Sequence, residues 1–203
     1  MNSEQALARL KSGNTRFVND KLDGQLQDSV RRSELTGAQT PYAIVLSCAD
    51  SRVVPELAFD TGLGELFVIR VAGNIANTSS IASIEYAVAH LGVKLIVVLG
   101  HQSCGAVTAA MAGGDNGYNL NHLLTHLQPA VNAVAEGNTD RDYGDQSVDA
   151  VVRENAIRTG QDLVARSSII QEAIQGSRDQ ALQIIPAWYV LDTGVVEFLS
   201  HDG

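Results

Sequence analysis

The sequence predicts an α/β fold: a mostly parallel central β-sheet flanked by helices, with an N-terminal helical arm and an added strand near the C-terminus. Three observations lead there. Residues 42–47, 66–71 and 94–99 are apolar runs of strand length without polar alternation, as in strands buried on both faces. Between the last two runs, Ile81, Ile84, Val88 and Leu91 keep helical spacing, which makes a parallel strand–helix–strand unit. The 203 residues are 45% hydrophobic and 18% charged, enough to bury the core of one domain.

The elements follow in chain order. Residues 1–39 are polar with a helical pattern, and Leu7, Leu10 and Phe17 are their scattered apolar anchors. So few apolar positions suit an arm that packs on something else, such as a second subunit. Pro41 leads into the first strand. The helix expected over 79–91 ends at Gly92, a residue suited to a left-handed cap. After Gly105 a helix is expected to Met111, stopped by Gly113-Gly114, and residues 119–135 read as one further helix. Another is expected over 147–165, and Ser168 with Gln171 fits a capping box opening a short helix. Residues 181–192 and 195–199 flank Thr193-Gly194, a hairpin turn. The stretches 113–117 and 136–145 read as surface connections, so residues 1–203 form a single domain with 1–39 as its arm.

Charge and segment content exclude several functions. The net charge is −9, which disfavours nucleic acid and anionic membranes. No apolar stretch reaches the ~18–20 residues of a membrane span. Residues 1–9 lack the pattern of a signal peptide, which points to a cytoplasmic protein unless a leader was trimmed.

Chemistry concentrates at two strand ends. Cys48 follows the first apolar run; His101 and Cys104 follow the third. Sites in parallel sheets form beyond the carboxyl ends of strands, so these three side chains face one crevice. A lone buried cysteine is ordinarily a small core hydrophobe. Two thiolates and an imidazole at adjacent strand ends instead suit one Zn²⁺ and leave its fourth position open, as in catalytic sites. A Cys48–Cys104 redox pair is the rival, and it leaves His101 without a role. Asp50 and Arg52 follow Cys48 by two and four residues. A carboxylate held by a guanidinium would orient a water on the metal; alone, the pair would be a surface ion pair of little weight. Two thiolates neutralise Zn²⁺, so its water is harder to ionise than on three histidines, and alkaline pH should favour the metal hydroxide as nucleophile. His122 and His126 stand four apart but read as a solvated helix face, and nothing gives His90 a role.

Cys48-Ala-Asp-Ser-Arg52 together with Gly100-His-Gln-Ser-Cys-Gly105 closely resembles the β-class carbonic anhydrases. Gly64–Arg70, Ala72-Gly73-Asn74, Ile84-Glu-Tyr-Ala87 and Val195–Phe198 extend the likeness over about residues 40–199. The resemblance implies reversible hydration of CO₂ to bicarbonate and a proton. It implies Zn²⁺ on Cys48, His101 and Cys104, with Asp50 and Arg52 as the catalytic pair. It also implies a homodimer embraced by the N-terminal helices, sometimes paired into a tetramer. Gln39, Phe67, Tyr86 and Gly105 match the family's plant-like, open-site type, in which the glutamine reaches across the dimer to substrate. The bicarbonate-inhibited type carries a tryptophan where this chain has Val45, and a glycine where it has Ser47. Relatives with the same ligands hydrolyse carbon disulfide or carbonyl sulfide, and a noncatalytic zinc or thiol protein is the alternative outside enzymes.

Overall fold

The computed structural model describes residues 1–139, 147–177 and 180–199. Its sheet has five strands in the order β2-β1-β3-β4-β5. They are β1 (Ala43–Ser47), β2 (Leu66–Arg70), β3 (Leu95–His101), β4 (Gln183–Tyr189) and β5 (Val196–Phe198). The first four run parallel and β5 is antiparallel to β4 across the expected hairpin. β1 and β3 are buried at every position, which is why their sequences show no alternation.

Side chains alternate between two cores. Ala43, Val45, Val97 and Leu99 face one layer, which α1 (Ser3–Val18) and α3 (Pro55–Ala58) cover. Ile44, Leu46, Ile96 and Val98 face the other, covered by α4 (Thr78–Leu91), α8 (Val148–Arg166) and α9 (Ser168–Ile174). A third cluster closes the carboxyl end of the sheet around Cys48, Cys104, Val107, Leu127 and Val152. α5 (Gly105–Ala112), α6 (Tyr118–Thr125) and α7 (Gln128–Glu136) belong to that end.

Local chemistry sets the helix ends. The Asn77 side chain caps α4 by accepting from Ser80 N–H, and Gly92 ends it in the left-handed region at φ 69°. The single helix expected over 119–135 is two, because Pro129 has no N–H to continue the first and sits in the opening turn of α7. The cap of α9 is Ser167 rather than Ser168: Ser167 accepts from Ile170 N–H, while the Gln171 amide turns to the Val164 carbonyl. The loop expected over 113–117 is a connection, and the one over 136–145 lies partly outside the described residues.

α1 docks on its own chain. Ala6 and Leu10 are fully buried in the first core, and burying one leucine contributes about 1.5–3 kcal/mol. The Asn14 amide donates to the carbonyls of Ala58 and Gly194, and its oxygen accepts Val196 N–H. α2 (Ser29–Glu34) buries no residue, and Leu22, Leu26 and Val30 are exposed. No helix among the described residues is long and apolar enough to cross a membrane.

Candidate metal centre

β1 leads into β2 on one side, and the chain then crosses back to place β3 on the other. The ends of β1 and β3 therefore bound the crevice where parallel sheets place their sites. Cys48 lies just beyond β1, His101 is the last residue of β3, and Cys104 caps the N-terminus of α5. All three are buried, and one donor atom from each lies within 4.8 Å of the others.

The geometry fits a metal better than a redox pair. The two sulfurs are 4.0 Å apart, far from the ~2.05 Å of a disulfide. Tetrahedral zinc with Zn–S bonds near 2.3 Å spaces two sulfurs by about 3.8 Å. His101 Nδ1 pairs with the Gln102 carbonyl at 2.9 Å, so it carries the proton and leaves Nε2 a bare lone pair. Nε2 is buried with no hydrogen-bond partner, an uncompensated position unless a cation fills it.

The electrostatics favour thiolate. Cys48 is lowered to about 4, chiefly by its hydrogen bond with Cys104 and also by the Gly73 backbone amide. Cys104 is pushed up by its bond to Cys48 and by burial, so the pair shares one proton, with Cys48 carrying the charge. The backbone amides of Ala106 and Val107 oppose that rise at the start of α5, where a helix favours an anion.

Asp50 and Arg52 complete the crevice. Arg52 Nε and Nη2 donate to the two Asp50 oxygens at 2.9 and 2.8 Å, a bidentate pair. Those bonds hold the Asp50 carboxyl well below the usual carboxylate range. Asp50 Oδ2 lies 3.8 Å from His101 Nε2. Gly105 begins α5 beside Cys104, and a side chain there would meet nothing within 4 Å.

Other predicted site residues lie elsewhere in the chain. Phe67 pairs with Ile44, four residues before Cys48, or about 13 Å along the strand. Its ring packs tilted against Tyr86, centroids 6.3 Å apart, and Tyr86 meets His90 at 5.1 Å. Tyr86 is 49% exposed. Gln39 is exposed ahead of β1, at the end of the sheet away from the cysteines. His122 and His126 touch edge to face at 5.8 Å.

Sequence reasoning missed residues that hold the loops. Arg70 donates to the carbonyls of Cys48 and Asp50 at 3.0 and 2.7 Å. An arginine ending an apolar strand run was the available signal. Gly73 N–H donates to Cys48 Sγ at 3.4 Å.

Comparison with known proteins places this geometry. The carbonic anhydrase family profile matches residues 43–196. Carbonic anhydrase 2 of Mycobacterium tuberculosis is 39% identical over 203 residues, covering 100% of this chain and 95% of the relative. A carbonic anhydrase of Pseudomonas aeruginosa is 38% identical, covering 91% of this chain and 84% of its own. Among solved structures, a tetrameric β-carbonic anhydrase of Sordaria macrospora superposes with TM-score 0.73 at 27% identity, over 93% of this chain and 94% of that one. The Coccomyxa β-carbonic anhydrase in complex with acetazolamide gives TM-score 0.73 at 29% identity, over 93% and 83%.

Proposed function

The chain belongs to the β-carbonic anhydrase family, and on that premise we propose which of its residues carry the reaction. The enzyme hydrates carbon dioxide reversibly to bicarbonate and a proton. Cys48, His101 and Cys104 hold one Zn²⁺ per subunit; the observation that carries this is the three buried donors within 4.8 Å with His101 Nε2 left bare. The ion supplies a Lewis acid that makes water nucleophilic, weaker with two thiolates than with three imidazoles.

The remaining work falls to side chains. Asp50, kept ionised by Arg52, accepts a hydrogen bond from the attacking water and fixes its orientation. Because both Asp50 oxygens are engaged by Arg52, the carboxylate stays off the fourth metal position, which is the open-site type. Gly105 leaves room and a backbone amide for substrate. Gln39, Phe67 and Tyr86 lie too far from their own Cys48, so they line the partner's site in a homodimer. Residues 1–39 contribute to that dimer through the exposed stretch around α2, and two such dimers form a tetramer. Two unpaired cysteines suit the reducing cytoplasm.

Stopped-flow CO₂ hydration near pH 8.5 tests the reading. Fast hydration by the zinc-loaded protein, lost in Cys48→Ser together with its zinc, is expected. No hydration by fully loaded protein would overturn it.

A further inference from the structure

Hydrogen bonds that begin on one helix reach both thiolate-bearing loops. Asn155 of α8 is 2% exposed, and its amide donates to the Gly73 carbonyl at 2.9 Å. Gly73 sits at φ 70° and turns its own N–H onto Cys48 Sγ. Six residues earlier, the Asp149 carboxylate accepts Ser103 N–H at 2.8 Å. Ser103 is itself held in the left-handed region at φ 54°, one residue before Cys104. Between these two, Val152 packs on the strand that carries His101: a Cβ on Gly100 would stand 2.7 Å from Val152 Cγ1. Positions 149, 152 and 155 are three apart, so one stripe of the helix faces all three ligand segments.

We infer that α8 is a strut for the metal centre, with Asn155 positioning Cys48 through Gly73 and Asp149 positioning Cys104 through Ser103. Neither side chain bonds a donor atom. Asn155 fixes the carbonyl that follows Gly73, and so fixes the direction of the amide aimed at the sulfur. An N–H held on Cys48 Sγ fixes the sulfur toward His101 and Cys104, so the donor set is formed before an ion arrives. Asp149 stabilises a strained backbone at Ser103, an otherwise costly conformation for a residue with a side chain. Without that acceptor the loop relaxes, and Cys104 loses its alignment with His101. Partners that orient ligands in this way typically change metal affinity by about 10–100-fold.

The inference rests on the zinc reading of Cys48, His101 and Cys104, and its test keeps the two apart. Zinc affinity is measured by competition with a chromophoric chelator. The cobalt(II)-substituted protein is read for its thiolate-to-metal charge-transfer absorption. A wild-type protein that takes up neither ion defeats the zinc reading itself. Asn155→Leu keeps the volume and removes the donor; it should bind zinc about 10–100-fold more weakly and shift the cobalt band. Asp149→Asn keeps an acceptor oxygen, whereas Asp149→Ala does not. Both remove the same charge from the first turn of α8, so any helix-dipole effect cancels between them. Asp149→Ala should lose affinity about tenfold or more while Asp149→Asn stays near wild type. Asp149 is half-buried, so this pair decides the matter even if Asn155→Leu does not fold. Equal zinc affinity in Asp149→Ala and Asp149→Asn, with an unshifted cobalt band, would overturn the inference. A lowered melting temperature with unchanged affinity and band would do the same, since that is what a purely structural helix gives.

Discussion

Replacing Gly73 by alanine isolates the contribution of one backbone amide, because a matched control exists in the same chain. Gly73 has φ 70° and ψ 15°, and Gly92 has φ 69° and ψ 24°. A β-carbon in this left-handed region costs roughly 1–2 kcal/mol at either position. The surroundings differ. At Gly92 a Cβ meets nothing within 4 Å, whereas at Gly73 it lies 3.1 Å from both Leu127 methyls and 3.5 Å from Ala106 Cβ. Each kcal/mol lowers the melting temperature of a chain this long by about 2–4 °C. Gly92→Ala should therefore melt about 2–8 °C lower and keep full activity. Gly73→Ala should melt lower still, because Leu127 has to move. It should also lose about 10–100-fold in kcat/KM, as the amide on Cys48 Sγ is displaced. Thermal unfolding, retained zinc and stopped-flow hydration are compared for the two variants side by side. If Gly73→Ala retains its zinc and the kcat/KM of Gly92→Ala, the amide–sulfur bond does nothing for the site.

Three further outcomes are expected. Gly13→Ala gains ~1 kcal/mol of helix propensity, yet its Cβ would lie 1.8 Å from the Phe59 carbonyl oxygen, so α1 must lift away. A lower melting temperature and faster proteolysis within residues 1–18 are expected; a stabilised protein would show that α1 does not dock there. The Asp50 carboxyl is lowered by its bonds to Arg52, so its contribution is present above the unfolded value near 3.9 and lost as pH falls through the lower folded value. The melting difference between wild type and Asp50→Asn should then be constant from pH 5 to 8 and shrink only below about pH 4; a change centred near pH 6 would contradict this. Finally, a Gln39→Ala chain has intact metal ligands, and a Cys48→Ser chain has an intact Gln39. Mixed dimers of the two should hydrate CO₂ several-fold faster than either parent, as measured by stopped flow after subunit exchange. Absence of any gain would place Gln39 outside the partner's site.

How much of this was legible in the sequence depends on how far apart the partners lie. The strands and the C-terminal end of α4 were readable because their signals are local: unbroken apolar runs, and Gly92 after the last turn. The break between α6 and α7 was missed, since one helix was expected over 119–135, although its mark, Pro129, is local. Asp50 and Arg52 fall within five residues of Cys48, so their bidentate contact needed only a turn. Asn155 and Gly73 are 82 residues apart, and nothing in either segment names the other. The roles proposed for Gln39, Phe67 and Tyr86 depend on a second chain, which the apolar and polar pattern of one chain does not describe.

The metal reading nonetheless carried topological information that hydrophobic pattern alone lacked. Apolar runs give strands without giving their order. Were the strands laid down in chain order, β2 would separate β1 from β3, and neighbouring strands stand about 4.8 Å apart. Cys48 would then sit roughly 10 Å from the end that carries His101 and Cys104, with the end of β2 standing between the donors. Three donors on a single metal require β1 and β3 to be neighbours, so β2 must lie outside them. That is the β2-β1-β3 order observed, with the chain reversing direction across the sheet where the donors meet. The site and the switch in strand order are therefore one constraint: the chemistry at Cys48 and His101 excludes the sequential sheet that the apolar runs by themselves would permit.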